Sequence, residues 1–104
     1  MSSVFKALAD PTRRRILEML RDGPMNAGDI AGHFDLAKPT LSGHFAVLRA
    51  ADLVQTEKKG ATVFYRLNIS VLEEALMAMM DGFGLLARVR DEAAEKIAPK
   101  GEAS

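Results

Sequence analysis

Ala37-Lys38-Pro39-Thr40-Leu41-Ser42-Gly43-His44-Phe45-Ala46-Val47-Leu48-Arg49-Ala50 reads as a helix with one apolar face. At about 100° per residue, Leu41, Phe45 and Leu48 fall within one narrow arc. The opposite face carries Pro39, Thr40, Gly43, Ala46 and Ala50, with Ser42 and Val47 at its margins. An ordinary exposed helix face is rich in Lys and Glu. This one is small and hydroxyl-bearing, which suits close approach to another surface. The DNA major groove admits one α-helix and is such a surface. Gly43 and Ala46 would serve a protein or RNA interface as well, so that alternative stays open.

Toward the N-terminus, Asn26 is expected to cap a helix over Ala27–Phe34, with Ile30, Ala31 and Phe34 facing inward. Asp35-Leu36-Ala37 then reads as a tight turn. Two short helices joined in this way, each with one apolar face, make a helix-turn-helix. Gly23-Pro24 separates this pair from an earlier helix through Ile16, Leu17 and Leu20. Asp10 is placed to cap that helix, and Pro11 sits at its first position, where a missing N–H is harmless. Arg13, Arg14 and Arg15 crowd its first turns, where the macrodipole does not favour cations. Arg14 is taken as a phosphate contact, against the plain alternative of a solvated basic cluster. Val4-Phe5-Lys6-Ala7-Leu8 is a short helical start.

Toward the C-terminus the period changes from helical to alternating. Val54–Lys58 and Thr62–Leu67 read as strands, joined by Lys59-Gly60-Ala61 as a hairpin loop. A hairpin directly after a helix-turn-helix is a wing, and Lys58 and Lys59 near its tip are candidate phosphate contacts. Ser70 and Glu73 have the spacing of a capping box. The last helix then carries Leu72, Leu76, Met79, Phe83 and Leu86 at spacings of four and three, with Met77, Met80 and Leu85 off that seam. A helix apolar on two sides in so short a chain points to a homodimer through the first and last helices. Gly82 and Gly84 each cost roughly 1 kcal/mol inside a helix, so either the helix bends there or backbones approach closely. Residues 1–98 are read as one domain and 99–104 as a disordered tail.

Composition narrows the function classes. The chain has 104 residues, 48% of them hydrophobic, enough for a real core. No apolar run approaches the roughly 18 residues that span a bilayer, and the first residues lack a signal-peptide pattern, so the cytoplasm is the expected compartment. Without cysteine there is no disulfide, thiolate metal site or thiol switch. Net charge is zero, but residues 1–70 hold ten basic against seven acidic side chains, and residues 71–104 hold four against seven. A basic front and an acidic back let one end meet phosphates. The two histidines, His33 and His44, share no helix face, and Met77, Met79 and Met80 read as adaptable packing, so no metal or cofactor is expected. Ser42 and His44 are two apart and do not face each other on a helix. No Gly-rich phosphate loop or nucleophile elbow appears, and no catalytic residue is assigned.

Val4–Leu17, Gly28-Asp29-Ile30-Ala31, Lys38–Leu48 and Phe64-Tyr65-Arg66-Leu67 together resemble the ArsR/SmtB-type bacterial transcriptional repressors. The match runs over about residues 3 to 90, and the wording of Met25–Ala31 and Lys38–Ser42 resembles the SdpR-like branch of autorepressors. The resemblance implies a mainly α fold with a small β-hairpin wing, a winged helix-turn-helix of α+β class. It implies a homodimer that binds double-stranded DNA at an operator overlapping a promoter. On this reading the dimer surface carries Val4, Phe5, Leu8, Leu72, Leu76, Met79, Met80 and Phe83. The recognition positions fall on Lys38, Thr40, Ser42, Gly43 and His44, with Pro39 among them. Three positions depart from the pattern: Ala37 replaces a capping Ser, Gly43 replaces a longer polar residue, and Asp52 replaces the Gly that ends the recognition helix. Metal-sensing relatives use cysteines on the third helix, or Asp and His on the last; this chain has neither set. SdpR-like relatives imply another release route, sequestration on a membrane protein partner.

Overall fold

The Asp10 carboxylate accepts the Arg13 backbone N–H at 3.0 Å, and Pro11 opens the helix behind it. The computed structural model describes residues 2–97. In chain order the elements are α1 (Ser2–Leu8), α2 (Pro11–Met19, closed by a 3-10 turn Leu20–Asp22), β1 (Met25–Asn26), α3 (Ala27–Ala31), α4 (Lys38–Ala50), β2 (Val54–Lys59), β3 (Thr62–Leu67), α5 (Ile69–Gly82) and α6 (Leu85–Ile97). The chain divides into two compact units, Met1–Leu72 and Glu73–Ser104.

The first unit is a winged helix-turn-helix. Its core is Ala7, Ile16, Leu17, Leu20, Ile30, Leu41, Phe45, Leu48, Ala51, Leu53 and Val54. Leu41, Phe45 and Leu48 are the buried residues of α4, the arc expected from their spacing. Ile16, Ile30, Leu48 and Leu53 are wholly buried, and each contributes about 1.5–3 kcal/mol by leaving water. Asp52 takes a φ of 63° where α4 turns into the wing. A short polar side chain tolerates that left-handed conformation better than most.

The wing has three strands, in the order β1-β3-β2. Met25 pairs with Tyr65 and Asn26 with Phe64, so the stretch before α3 forms an edge strand. This strand adds to the expected hairpin, and its two residues are too few to show alternation in sequence. The hairpin loop is also shorter than expected. Lys59 pairs with Thr62, which leaves Gly60 and Ala61 as the turn. Gly60 has a φ of 63°, the conformation that glycine adopts without strain.

Three helix boundaries differ from expectation. The third helix stops at Ala31: the Gly32 N–H closes its last helical bond to Gly28, and His33 and Phe34 follow as tightened turns that bond to Ile30 and Ala31. The Ser70–Glu73 capping box does not form: α5 begins at Ile69, with the Asn68 carbonyl accepting the Leu72 N–H at 3.4 Å. Asn68 is fixed first, because its N–H donates to Leu53 at 2.9 Å. The single long last helix is two helices. Gly84 has a φ of 72°, and its N–H donates to Asp81 at 3.0 Å, which ends α5 and restarts the chain as α6. Of the two readings open for Gly82 and Gly84, the break is the one observed. The tail expected from Pro99 lies outside the described residues.

The second unit takes in the later part of α5 and all of α6. No residue of α5 is fully buried. Leu76, Met77, Met79, Phe83, Leu85 and Val89 are exposed large hydrophobics, with Phe83 at 74%.

Asn26 caps α3 as its residue type suggested, with Oδ1 accepting the Asp29 N–H at 2.8 Å. Asn26→Ala is expected to cost about 1 kcal/mol and to lower Tm by about 4–8 °C, whereas Asn26→Asp keeps most of it. Thermal denaturation followed by circular dichroism reads this directly; equal Tm values for Asn26→Ala and the parent would remove the cap from the account.

Candidate nucleic-acid interface

The outer face of α4 is built by default, from what the core leaves over. With Leu41, Phe45 and Leu48 buried, Lys38, Pro39, Thr40, Ser42, Gly43 and Ala46 are all exposed. No side chain longer than Thr projects from this face beyond the first turn. A Cβ added at Gly43 would meet nothing within 4 Å. The N-terminus of the helix has no side-chain cap, since Ala37 has no hydroxyl. The first intrahelical bond runs from the Leu41 N–H to the Ala37 carbonyl at 3.1 Å. Pro39 has no N–H, so the Lys38 and Thr40 amides are the donors turned toward any anion at this end.

The face is held at a set angle to the wing by one aromatic pair. Phe45 on α4 stacks on Tyr65 of β3, with ring centroids 4.5 Å apart and planes 16° apart. Such a pair contributes about 0.5–1.5 kcal/mol beyond its buried area. The sequence placed Phe45 in the core but offered no signal for its partner.

Lys58 and Lys59 both stand at the wing tip, yet the register sends them to opposite faces. Val54, Thr56 and Lys58 lie across from Leu67, Tyr65 and Val63, on the side that packs on the core nearer the base of the hairpin. Gln55, Glu57 and Lys59 lie across from Arg66, Phe64 and Thr62, on the other side. The Lys59 ammonium sits over the Phe64 ring, 5.8 Å from its centroid. One phosphate therefore cannot take both lysines by the same approach.

The arginines at the start of α2 have a local reason to be there. Arg13 Nε donates to the Ala7 carbonyl at 2.8 Å and its Nη2 to the Lys6 carbonyl at 2.9 Å. Arg14 Nη1 donates to the Leu8 carbonyl at 2.7 Å. These are the last carbonyls of α1, which lack donor partners within the helix and carry its negative dipole end. Cations unfavourable to α2 are favourable to α1. Arg14, expected on phosphate, is exposed but already engaged at this carbonyl. Arg15 pairs with Glu18 at 3.4 Å in the open, where such a pair contributes little.

His44, expected on the reading face, is turned inward. Its side chain is only 16% exposed, with Nδ1 at 3.2 Å from Arg13 Nη1 and 3.9 Å from the Asp10 carboxylate. The Arg13 N–H on the Asp10 carboxylate holds Asp10 below the usual carboxylate range, with His44 and Arg13 charge adding to it against some desolvation. Among the residues expected at a dimer surface, Val4, Leu8 and Leu72 are half-buried against the first unit's core, and Phe5 and Met80 are half-buried. Leu76, Met79 and Phe83 are exposed.

Among the described residues, no group of three or more His, Cys, Asp or Glu side chains is placed to hold one metal ion. Two open clefts in the first unit measure about 250 and about 260 Å³. Both are lined mainly by apolar atoms, and both fall below the roughly 300 Å³ at which small-molecule sites begin.

Comparison with known proteins agrees with this geometry. The family described as bacterial regulatory protein, arsR family, matches residues 10–56, from the α2 cap into the wing. The transcriptional repressor SdpR of Bacillus subtilis is 44% identical over 81 residues, covering 78% of this chain and 90% of that one. The arsenical resistance operon repressor of Staphylococcus xylosus is 40% identical over 73 residues, covering 70% of each. The solved structure of an ArsR-like transcriptional regulator from Rhodococcus sp. RHA1 superposes with a TM-score of 0.70 at 29% identity, over 93% of this chain and 91% of that one. With this identity, this coverage and the winged helix-turn-helix in place, the chain belongs to the ArsR family of bacterial transcriptional regulators.

Proposed function

We infer that the protein is a DNA-binding transcriptional repressor, acting as a homodimer that lays α4 of each copy into the major groove. The observation that supports this best is the exposed small-residue face of α4, beside a wing with basic residues at its tip. On this reading Thr40 and Ser42 touch base edges or phosphates, Gly43 lets the helix backbone come close, and Lys38 and the free amides of the first turn take a phosphate. Lys59, on the outer side of the wing, takes another. Two such helices should enter successive major grooves about 34–36 Å apart on an imperfect palindrome. With few long polar side chains on the face, part of the specificity comes from DNA shape. The resemblance to autorepressors makes regulation of its own promoter the first case to test.

The second copy is proposed on the exposed apolar residues of α5 and α6, with α1 taking part. Among the described residues no helix is long and apolar enough to cross a membrane. A repressor acts where the DNA is, and the cytoplasm is the proposed compartment. A sequestering membrane protein draws no support from the described residues and is left out of this proposal. No enzymatic activity is proposed.

The test is fluorescence anisotropy of the full chain against duplex from its own upstream region, beside a scrambled duplex, at two salt concentrations. Selective binding should weaken with salt, log K falling by about 0.9 per neutralised phosphate against log salt. Lys59→Ala should weaken both duplexes alike and lower that slope by about one phosphate. Thr40→Ala and Ser42→Ala should change which duplex is preferred. Equal effects of all three on both duplexes would overturn these roles, and no binding to either duplex would turn the face over to a protein or RNA partner.

A further inference from the structure

We propose that His44 is a positioning residue for the recognition helix, the acceptor end of a clamp by which Arg13 fastens the C-terminus of α1 to α4. The inference rests on the DNA-binding reading and deepens it. Three helices meet at one guanidinium. Arg13 belongs to α2, two of its nitrogens hold the Ala7 and Lys6 carbonyls of α1, and the third reaches His44 Nδ1 on α4 at 3.2 Å. Its backbone N–H is fixed in turn by Asp10 at 3.0 Å. The guanidinium is thus held by fixed acceptors on two sides, and its remaining arm has one direction to point.

The chemistry of the pair settles the tautomer. A guanidinium only donates, so Nδ1 must accept and the ring proton must sit on Nε2. The neutral ring satisfies the clamp. A protonated ring has no lone pair at Nδ1 and would set its own N–H against the Arg13 charge. Its one anionic neighbour is then the Asp10 carboxylate, at 3.9 Å. The charged groups facing the ring are therefore Arg13 from α2 and Asp10 from the α1–α2 junction. Lys6 of α1 offers its carbonyl to Arg13, and its side chain is exposed. On α4 itself no charged residue stands between Lys38 and Arg49. His44 follows Gly43 directly and lies two residues from Ser42, so moving its ring to another partner turns the face that meets DNA.

The experiment compares the full chain with its His44→Ala, His44→Asn and Arg13→Lys variants. The readout is the affinity ratio of upstream to scrambled duplex by anisotropy, beside the ¹⁵N spectrum of the histidine rings, with His44 assigned from its absence in His44→Asn. His44→Ala and Arg13→Lys should lose about 3- to 10-fold in the ratio, the value of one hydrogen bond. His44→Asn, whose Oδ1 replaces the Nδ1 acceptor, should restore it. Failure of His44→Asn together with His44→Ala would overturn the clamp, as would a spectrum with the proton on Nδ1. A parent that binds neither duplex overturns the DNA reading, and the ring spectrum still decides the clamp.

Discussion

Gly43→Glu is expected to abolish selective DNA binding while leaving the fold intact or slightly more stable. Gly43 lies in the interior of α4, and a Cβ there meets nothing within 4 Å. Glycine in a helix interior costs up to about 1 kcal/mol relative to alanine, and Glu is a good helix former, so the substitution removes a local cost. Thermal denaturation should therefore show a Tm equal to or above that of the parent. The same side chain projects from the centre of the face assigned to the groove, between two rows of phosphates. Like-charge juxtaposition at a closed interface costs several kcal/mol, which predicts a loss of about a hundredfold or more. Gly43→Gln separates charge from bulk: its loss should be smaller and less dependent on salt. Undiminished binding by Gly43→Glu would remove α4 from the groove altogether. A variant that loses binding and also unfolds would show that Gly43 serves packing.

The fold was legible in the sequence wherever one residue type answers one local need. Asp10 and Asn26 cap because their oxygens reach an N–H three residues on. Leu41, Phe45 and Leu48 are buried because the helical period leaves them no other face. Gly60 turns the wing, and Asp52 accepts a positive φ. What stayed hidden depended on partners far away in the chain. The two residues of β1 make a strand only because β3 lies beside them. The box at Ser70 and Glu73 satisfies every local rule, yet Asn68, tied to Leu53, starts the helix earlier. The apolar seam ran unbroken through Phe83, and the positive φ of Gly84 interrupts it with no change in hydrophobic pattern.

The candidate site divides in the same way. Thr40, Ser42 and Gly43 are exposed as the helical period requires, since a helix that buries one arc exposes the other, whereas Lys38 as a recognition position rests on the family resemblance. Position on a helical wheel does not place His44, which lies near the edge of the apolar arc and goes to whichever neighbour it finds. That neighbour is Arg13, 31 residues earlier. The arginine run held a usable signal. Cations at the start of one helix are out of place, and directly after another helix they have its carbonyls to hold. The same reasoning about carbonyl ends accounts for Arg14 at the Leu8 carbonyl.

The largest stability loss is expected from Phe45→Ala, and its consequence for DNA separates two ways in which α4 can fail. Phe45 is 6% exposed, in the middle of the core, and stacks on Tyr65 at 4.5 Å. Removing a buried aromatic ring costs about 3–5 kcal/mol, the lost burial together with the cavity left behind. Whole domains of this size are stable by about 5–15 kcal/mol, so the variant should melt roughly 15 °C or more below the parent. Phe45→Leu refills most of the space without the stack and should recover most of the loss. The fraction it fails to recover measures the aromatic pair. A double-mutant cycle with Tyr65→Leu should then give a coupling of about 0.5–1.5 kcal/mol, read from urea midpoints. A coupling near zero would leave the pair as mere neighbours in the core. A real coupling makes the wing angle part of recognition: Phe45→Leu at a temperature where it is fully folded should still bind DNA less selectively, because α4 and the Lys59 tip are then free to dock independently. Selectivity unchanged in folded Phe45→Leu would confine the stack to stability.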